Sequence, residues 1–199
     1  MTIRPQGKRL LTTAATVLGL MLLVLVSYSP SLAQEVPVHM ELFGGYSYMH
    51  FDSTTLGFAN NSNLSGGNLS LSVPHIFRAH KYHALGVVAD ASANYGSHLS
   101  VYNFMVGPQV TVDKRGYTIF AQGLFGKGRE RFGIPESLLF PGYSTLGRAF
   151  ALGGGLQKNW RPKFAIRIFQ VDYIHNGNFG VTQNNIRVST GVVYQFGGK

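Results

Sequence analysis

The feature that most constrains the fold is a strict alternation of apolar and polar residues near the end of the chain. The even positions there carry Ile186, Val188, Thr190, Val192, Tyr194 and Phe196. The other face carries Asn185, Arg187, Ser189, Gly191 and Gln195. Successive side chains of a β-strand point to opposite faces, so this stretch predicts a strand with one apolar and one polar side.

Seven earlier segments alternate in the same way, which makes eight predicted strands in all. They cover residues 38–51, 63–73, 82–95, 100–112, 117–127, 148–160 and 163–175. Each is long enough to cross a membrane as a tilted strand of about ten residues. Backbone groups in lipid must all be hydrogen bonded, so spanning strands have to close into a barrel. We therefore predict an all-β fold, an eight-stranded antiparallel up-and-down transmembrane β-barrel.

Alternation alone does not separate this barrel from a soluble β-sandwich or lipocalin, which bury the apolar face. The positions of the aromatic residues favour the membrane. Those near the loop ends of the strands are Tyr46, Tyr48, Tyr95, Phe125, Phe150 and Tyr173. Those near the turn ends are Tyr82, Tyr117, Trp160, Phe164, Tyr194 and Phe196. Two such belts are typical of the two membrane–water interfaces.

The first 33 residues are predicted to be a cleaved signal peptide. Basic residues precede an apolar run from Leu10 to Val26, and Ser31 and Ala33 supply the small residues that a signal peptidase needs. Cleavage after Ala33 leaves residues 34–199 as one barrel domain. An uncleaved anchor is the alternative, because the apolar run is nearly long enough to span a bilayer as a helix.

Composition limits the kinds of partner that this protein is expected to bind. The chain has no cysteine, so a secreted protein of this kind depends on a closed hydrogen-bonded fold or a large core rather than on disulfides. Three of the 17 basic residues and none of the 8 acidic ones lie in the leader, which gives the mature chain a net charge of +6. A basic protein can bind nucleic acid. The secretory leader makes anionic lipid the expected partner instead, and we predict no nucleic-acid binding.

The connections between the predicted strands differ in length. Residues 113–116 and 159–162 form tight hairpin turns, whereas the connections after the first, fifth and seventh strands are predicted to be longer. Residues 127–147 form the longest, and the connection around Gly96 is the short exception. Short turns at one end and long loops at the other are typical of transmembrane barrels, with the turns in the periplasm.

The closing strand carries a polar residue, a glycine two positions later, and aromatic residues three and five positions beyond that glycine. These are Ser189, Gly191, Tyr194 and Phe196. Their order resembles the C-terminal signal read by the bacterial barrel-assembly machinery. With the leader, the eight strands and the uneven connections, the chain resembles the outer-membrane protein A transmembrane domain and similar small barrels. The resemblance implies a monomer in the bacterial outer membrane, with membrane lipid, lipopolysaccharide and the assembly machinery as partners.

Eight strands enclose a bore that side chains just fill. The predicted polar filling consists of Glu41, Asp90, Gln109, Gln122, Gln157, Gln170, Asp172, Asn185 and Arg187. Buried charges need partners, so we expect Arg187 to pair with Glu41 or Asp90. Alternation puts Arg167 on the face opposite Asp172, and we expect Arg167 to point outward and reach the near interface. Pro108 predicts a bulge or a loosened pairing in its strand.

These features favour a structural or surface-interaction protein over an enzyme, and no cofactor is expected. A small gated pore through the polar bore is one alternative. The other is a lipid A-modifying enzyme, because His98 and Ser100 resemble the His-x-Ser motif of outer-membrane lipid A deacylases, although Val101 stands where that family has asparagine.

Two charged or metal-ligating clusters remain. His75, His80 and His83 have spacings that no standard zinc motif uses, so no metal site is predicted. Four basic residues flank the longest loop, where phosphates of lipopolysaccharide are within their reach. They are Lys127, Arg129, Arg131 and Arg148.

Overall fold

A computed structural model describes residues 39–52, 62–80, 83–97, 99–132, 144–178 and 181–197. These residues form eight strands. They are β1 (Met40–Phe51), β2 (Ser62–His80), β3 (His83–Tyr95), β4 (Leu99–Lys114), β5 (Tyr117–Phe132), β6 (Ser144–Arg161), β7 (Phe164–Asn178) and β8 (Val181–Phe196). The predicted signal peptide, residues 1–33, lies outside the described residues.

The strands form one closed barrel in chain order. Each strand pairs with the next one antiparallel, and β1 pairs with β8 to complete the ring. Closure leaves no unpaired sheet edge. The predicted eight-stranded antiparallel up-and-down barrel is confirmed. No helix in the described part of the chain is long and apolar enough to span a membrane.

The apolar face of the strands is the outside of the barrel. Leu71, Val87, Ile119 and Val192 come from four different strands and are each between 37% and 56% exposed. A soluble sandwich would bury these side chains against a second sheet. Here no part of the described protein covers them.

At one end of the barrel, called the turn end below, three connections of two residues join β2 to β3, β4 to β5 and β6 to β7. In the second of them Arg115 and Gly116 have φ values of 51° and 80°. A type I′ hairpin turn requires left-handed backbone at both central positions. The hairpin turn predicted within 113–116 is present, and the one predicted within 159–162 lies at residues 162 and 163, because β6 continues to Arg161.

At the opposite end, called the loop end, two predictions are wrong. Only residues 179 and 180 separate β7 from β8, because the pairing continues to Asn178 and Val181. Pairing between β5 and β6 likewise continues beyond the predicted strand ends, as far as Arg131 and Ser144. The connection predicted at 127–147 is therefore shortened to 133–143. Those eleven positions lie outside the described residues.

The pairing of β4 is loosened at Pro108 without a bulge. The ladder between β4 and β5 has no partners at Gly107 and Pro108, yet its register is the same on both sides of the gap. Shifts of register occur elsewhere, between Val73 and Phe77 in β2 and between Arg167 and Gln170 in β7. The second of these changes which side chains enter the bore.

Candidate functional site in the barrel interior

The polar face of the strands lines the bore. The nine polar residues predicted there all have buried side chains, with exposures of 5% or less. They are Glu41, Asp90, Gln109, Gln122, Gln157, Gln170, Asp172, Asn185 and Arg187. Buried charges at this density are tolerated only where they are paired and hydrogen bonded. The partners of each charge therefore decide what the interior does.

Arg187 on β8 joins two carboxylates across the bore. Its Nη1 lies 2.8 Å from Asp90 Oδ1 on β3, and its Nη2 and Nε lie 2.8 and 3.0 Å from Asp172 Oδ2 on β7. All three side chains have zero exposure. No water-sized space therefore touches any of these three side chains, and together they block this part of the bore.

Three amides complete the hydrogen bonding of the two carboxylates. Asn68 Nδ2 donates to Asp90 Oδ2 at 2.9 Å. Gln122 Nε2 donates to Asp172 Oδ1 at 3.0 Å, and Gln170 Nε2 donates to Asp172 Oδ2 at 2.8 Å. One cation is thus shared by two anions, and the amides from β2, β5 and β7 stabilise the excess negative charge.

Glu41 belongs to a separate hydrogen-bonded group nearer the turn end. Of the two partners expected for Arg187, Glu41 and Asp90, the structure therefore shows the pair with Asp90. The register explains the separation, because Glu41 pairs with Gln195, eight residues further along β8 than Arg187. Glu41 instead accepts hydrogen bonds from Gln157 at 3.1 and 3.2 Å and from Gln195 at 2.9 Å. His39 lies 3.5 Å away.

Arg167 points into the bore, and the prediction that it points outward is wrong. It is 2% exposed, and its guanidinium stacks between the rings of Phe43 and Phe120 at 4.2 and 4.5 Å. The cause is the bulge in β7, where Ile168 and Phe169 both face outward and reset the alternation. Nη1 donates to Gln170 Oε1 at 2.6 Å and Nη2 to Gln157 Oε1 at 3.4 Å.

The loop half of the bore is mixed rather than polar. Its apolar part includes Met49, Phe51, Leu64, Leu99, Val101 and Ile174, all buried. Three buried asparagines, Asn94, Asn103 and Asn176, have no hydrogen-bond partner for either amide atom within the described structure. Gln183 Nε2 donates to Glu130 Oε2 at 3.3 Å in the same region.

Sequence reasoning missed Arg167, Glu130, Asn176 and Gln183 as interior residues. The last three lie beyond the predicted strand ends, and the same alternation continued outward would have found them. Arg167 carried no such signal, because a bulge is invisible in a pattern of period two. Interior apolar residues were missed because an apolar side chain at a polar position reads as an interruption of the pattern.

For the other candidate chemistry, the described residues place only some of the side chains. Ser100 lies on the outer face of β4, paired with Tyr95 and Arg131, while His98 lies outside the described residues. His75 forms a 3.0 Å hydrogen bond with Asp113, and its ring meets His39 edge-on at 5.6 Å. In the part of the chain that the structure describes, no three histidine or acidic side chains are placed so that they could hold a metal ion together.

Comparison with known proteins rests on structure. No family model and no curated protein matches the sequence. The attachment invasion locus protein Ail of Yersinia pestis superposes with a TM-score of 0.51 at 18% identity, over 79% of this chain and 98% of that one. Neisserial surface protein A superposes with a TM-score of 0.52 at 10% identity, over 79% and 96% of the two chains.

The chain has the fold of small outer-membrane β-barrels. A second Ail structure, in complex with the heparin analogue sucrose octasulfate, has a TM-score of 0.52 at 19% identity, over 79% of this chain and 98% of Ail. These identities are low, so the likeness concerns the path of the backbone. The family resemblance read from the sequence is borne out at the level of fold.

Proposed function

We propose that this protein is a monomeric bacterial outer-membrane β-barrel with a structural or surface-interaction role and no catalytic activity. The observation that carries the proposal is the combination of an exposed apolar outer wall with a bore closed by buried ion pairs. Such a wall is stable only where lipid covers it, and such a bore transmits little. What remains for interaction is the loop end and the outer surface.

The proposal is supported by the different polarity of the two faces of the strands, which are apolar outside the barrel and polar or charged inside it. Apolar side chains as large as Leu152 and Ile119 are 72% and 56% exposed on the outside. The charges of Asp90, Asp172 and Arg187 are sealed inside. A water-soluble protein would reverse this arrangement, because exposed apolar surface is costly in water.

Two measurements test this proposal together. Protein extracted from membranes in detergent should migrate faster in a gel before boiling than after it, since a folded barrel of this kind resists the detergent until heated. The same protein in planar bilayers should give no stable single-channel steps. Migration that does not change on boiling would contradict the barrel, and reproducible steps would contradict the closed bore.

A small gated pore is the second candidate, and the unpartnered amides of Asn94, Asn103 and Asn176 favour it. Buried amides without protein partners are normally satisfied by water, so an opened loop half would present a polar lining to the solvent. Its continuation toward the turn end is blocked by Arg187. The pore candidate therefore predicts conductance that increases when Arg187→Gly removes the block, and unchanged silent bilayers would reject it.

A further inference from the structure

Four exposed cations form a cluster on the outer face of the barrel near the loop end. Lys127, Arg129 and Arg131 occupy alternate positions of β5, so their side chains share the outward face. Arg148 on β6 is the register partner of Lys127. These four residues are called the cationic ladder below.

The ladder is not neutralised by carboxylates of the described residues. Among them, its one side-chain hydrogen bond runs from Arg129 Nη2 to Ser144 Oγ at 3.3 Å. Glu130 lies between two ladder residues in sequence but is 0% exposed and faces the bore. Like charges at directly opposed positions such as Lys127 and Arg148 repel each other. An anion bound between them would remove this cost.

An apolar groove begins directly below the ladder on the same outer wall. Phe125 and Phe150 form the next opposed pair toward the turn end, and Gly123 and Leu152 form the one after it. The groove has a volume of about 490 Å³ and is lined also by Tyr173 and His175 of β7. Gly123 leaves it open, because even a Cβ atom added there would have no other atom within 4 Å.

We propose that the ladder and the groove together bind one phosphorylated, acylated glycolipid of the lipid A type. Lysine and arginine bind phosphate through charge-assisted hydrogen bonds. Four residues of strand, roughly 13 Å, separate Lys127 from Gly123. That spacing suits an amphiphile with phosphates at the ladder and an acyl chain in the groove.

The choice of lipid rests on the proposed function and on the predicted orientation, in which the turns lie in the periplasm and the loop end faces the outer leaflet. The cations of the turn end differ in their surroundings. Lys158 lies 5.5 Å from the ring of Tyr117, and Arg161 lies 5.0 Å from that of Trp160. These contacts serve as interface anchors. They also supply a matched pair of cations for a control.

The test measures binding of purified lipid A to the folded protein in detergent micelles, with dephosphorylated lipid A and heparin as comparison ligands. Wild-type protein should bind lipid A more tightly than either. Lys127→Gln with Arg148→Gln should weaken lipid A binding by about tenfold or more, since each lost charge-assisted contact is worth up to a factor of ten. Lys158→Gln with Arg161→Gln removes the same charge at the turn end and should leave binding unchanged.

A second variant tests the groove without changing charge. Gly123→Leu should weaken lipid A binding while leaving any weak heparin binding as it is, because it fills only the acyl-chain position. Equal binding of lipid A by wild type and by the ladder variant would overturn the proposal. So would heparin binding as tight as lipid A with no effect of Gly123→Leu, which would identify a site for soluble polyanions.

All binding is measured on protein whose gel migration shifts on boiling. Failure of that shift in the wild type would reject the barrel function itself. A normal shift with no loss of binding in either variant would reject only the lipid site.

Discussion

At the scale of single residues, Arg187 forms the buried ion pairs that join strands across the bore. It connects β8 to Asp90 on β3 and to Asp172 on β7 with three bonds of 2.8 to 3.0 Å. Removing one partner of a buried ion pair leaves the others charged and unpaired, which costs much more than the pair contributes. Arg187 is therefore expected to be critical for stability, whether or not the barrel conducts ions.

The first prediction is that Arg187→Met lowers the free energy of unfolding by about 3–5 kcal/mol. Unfolding by urea in lipid vesicles measures it. Lys158→Met removes the same charge from an exposed position beside Tyr117 and is expected to cost less than about 1 kcal/mol. If both variants lose the same free energy of unfolding, the buried ion pairs of Arg187 stabilise the barrel no more than an exposed charge does.

A companion variant separates charge from packing. Adding Asp90→Asn and Asp172→Asn to Arg187→Met removes the two uncompensated anions, so part of the lost free energy should return. No recovery in the same urea assay would mean that the loss arises from the missing volume of the arginine.

At the scale of elements, the bulge in β7 determines the composition of the bore. Ile168 and Phe169 both point outward, at 43% and 45% exposure, while Arg167 and Gln170 on either side of them point inward. One additional residue in a strand inverts the facing of everything beyond it. The bulge thus brings Arg167 into the turn half of the bore, beside Gln157 and Gln170.

The second prediction concerns this extra residue. Deleting Ile168 leaves one outward residue, Phe169, between Arg167 and Gln170, so regular alternation returns with both side chains still pointing inward. The deletion should therefore cost less than about 2 kcal/mol, the contribution of one partly exposed apolar side chain. Deleting Val171 instead removes a residue from a regular stretch of β7, so an inward side chain beside it must change face, and this variant should lose more stability. Urea unfolding of both variants measures the difference. Equal losses would contradict the assignment of the extra residue to the bulge.

The third prediction concerns β8 as an assembly signal, which remains a prediction from the sequence. Tyr194 and Phe196 stack with ring centroids 5.8 Å apart, and Phe164 of β7 lies 5.3 Å from Tyr194. Tyr194→Ala with Phe196→Ala should lower the yield of folded barrel in cells while refolding from urea into micelles changes little. Gel migration before and after boiling measures both yields.

Phe164→Ala supplies the control for the signal. It removes a ring that packs on Tyr194 from outside the proposed signal. If Phe164→Ala lowers the cellular yield as much as the double variant, ring packing rather than recognition of β8 explains the effect.

At the scale of the whole molecule, acidic side chains are concentrated on the inner surface of the sheet, where Arg187 pairs with two of them. Glu41, Asp90, Glu130 and Asp172 are buried inside, whereas the ladder cations lie outside. The sequence encodes the sorting directly, because residues two apart in a strand share a face. Because these four acids face the bore, they do not offset the ladder cations on the outer wall. The outer wall is therefore suited to anionic lipid.

The limits of sequence reasoning follow from that same periodicity. Alternation predicted the eight strands and the buried positions of residues such as Asp90 and Asn185, because one face is apolar over the whole strand. It left two partners open for Arg187, Glu41 and Asp90, because the choice depends on the shear of the closed barrel, and it missed Asp172, the register partner of Arg187 on β7. The inward turn of Arg167 depends on a bulge, and bulges arise from packing rather than from any local pattern.

The most direct test of the account asks which side of the wall meets lipid. The chain has no cysteine, so Val192→Cys and Val193→Cys each provide a single site for a spin label on adjacent residues. Val192 is 52% exposed and Val193 is 0% exposed. In lipid vesicles the label at 192 should meet dissolved oxygen but not an aqueous nickel chelate, while the label at 193 should be shielded from both. A label at 192 that the nickel chelate reaches, or that is shielded as in a protein core, would contradict the barrel's placement in lipid.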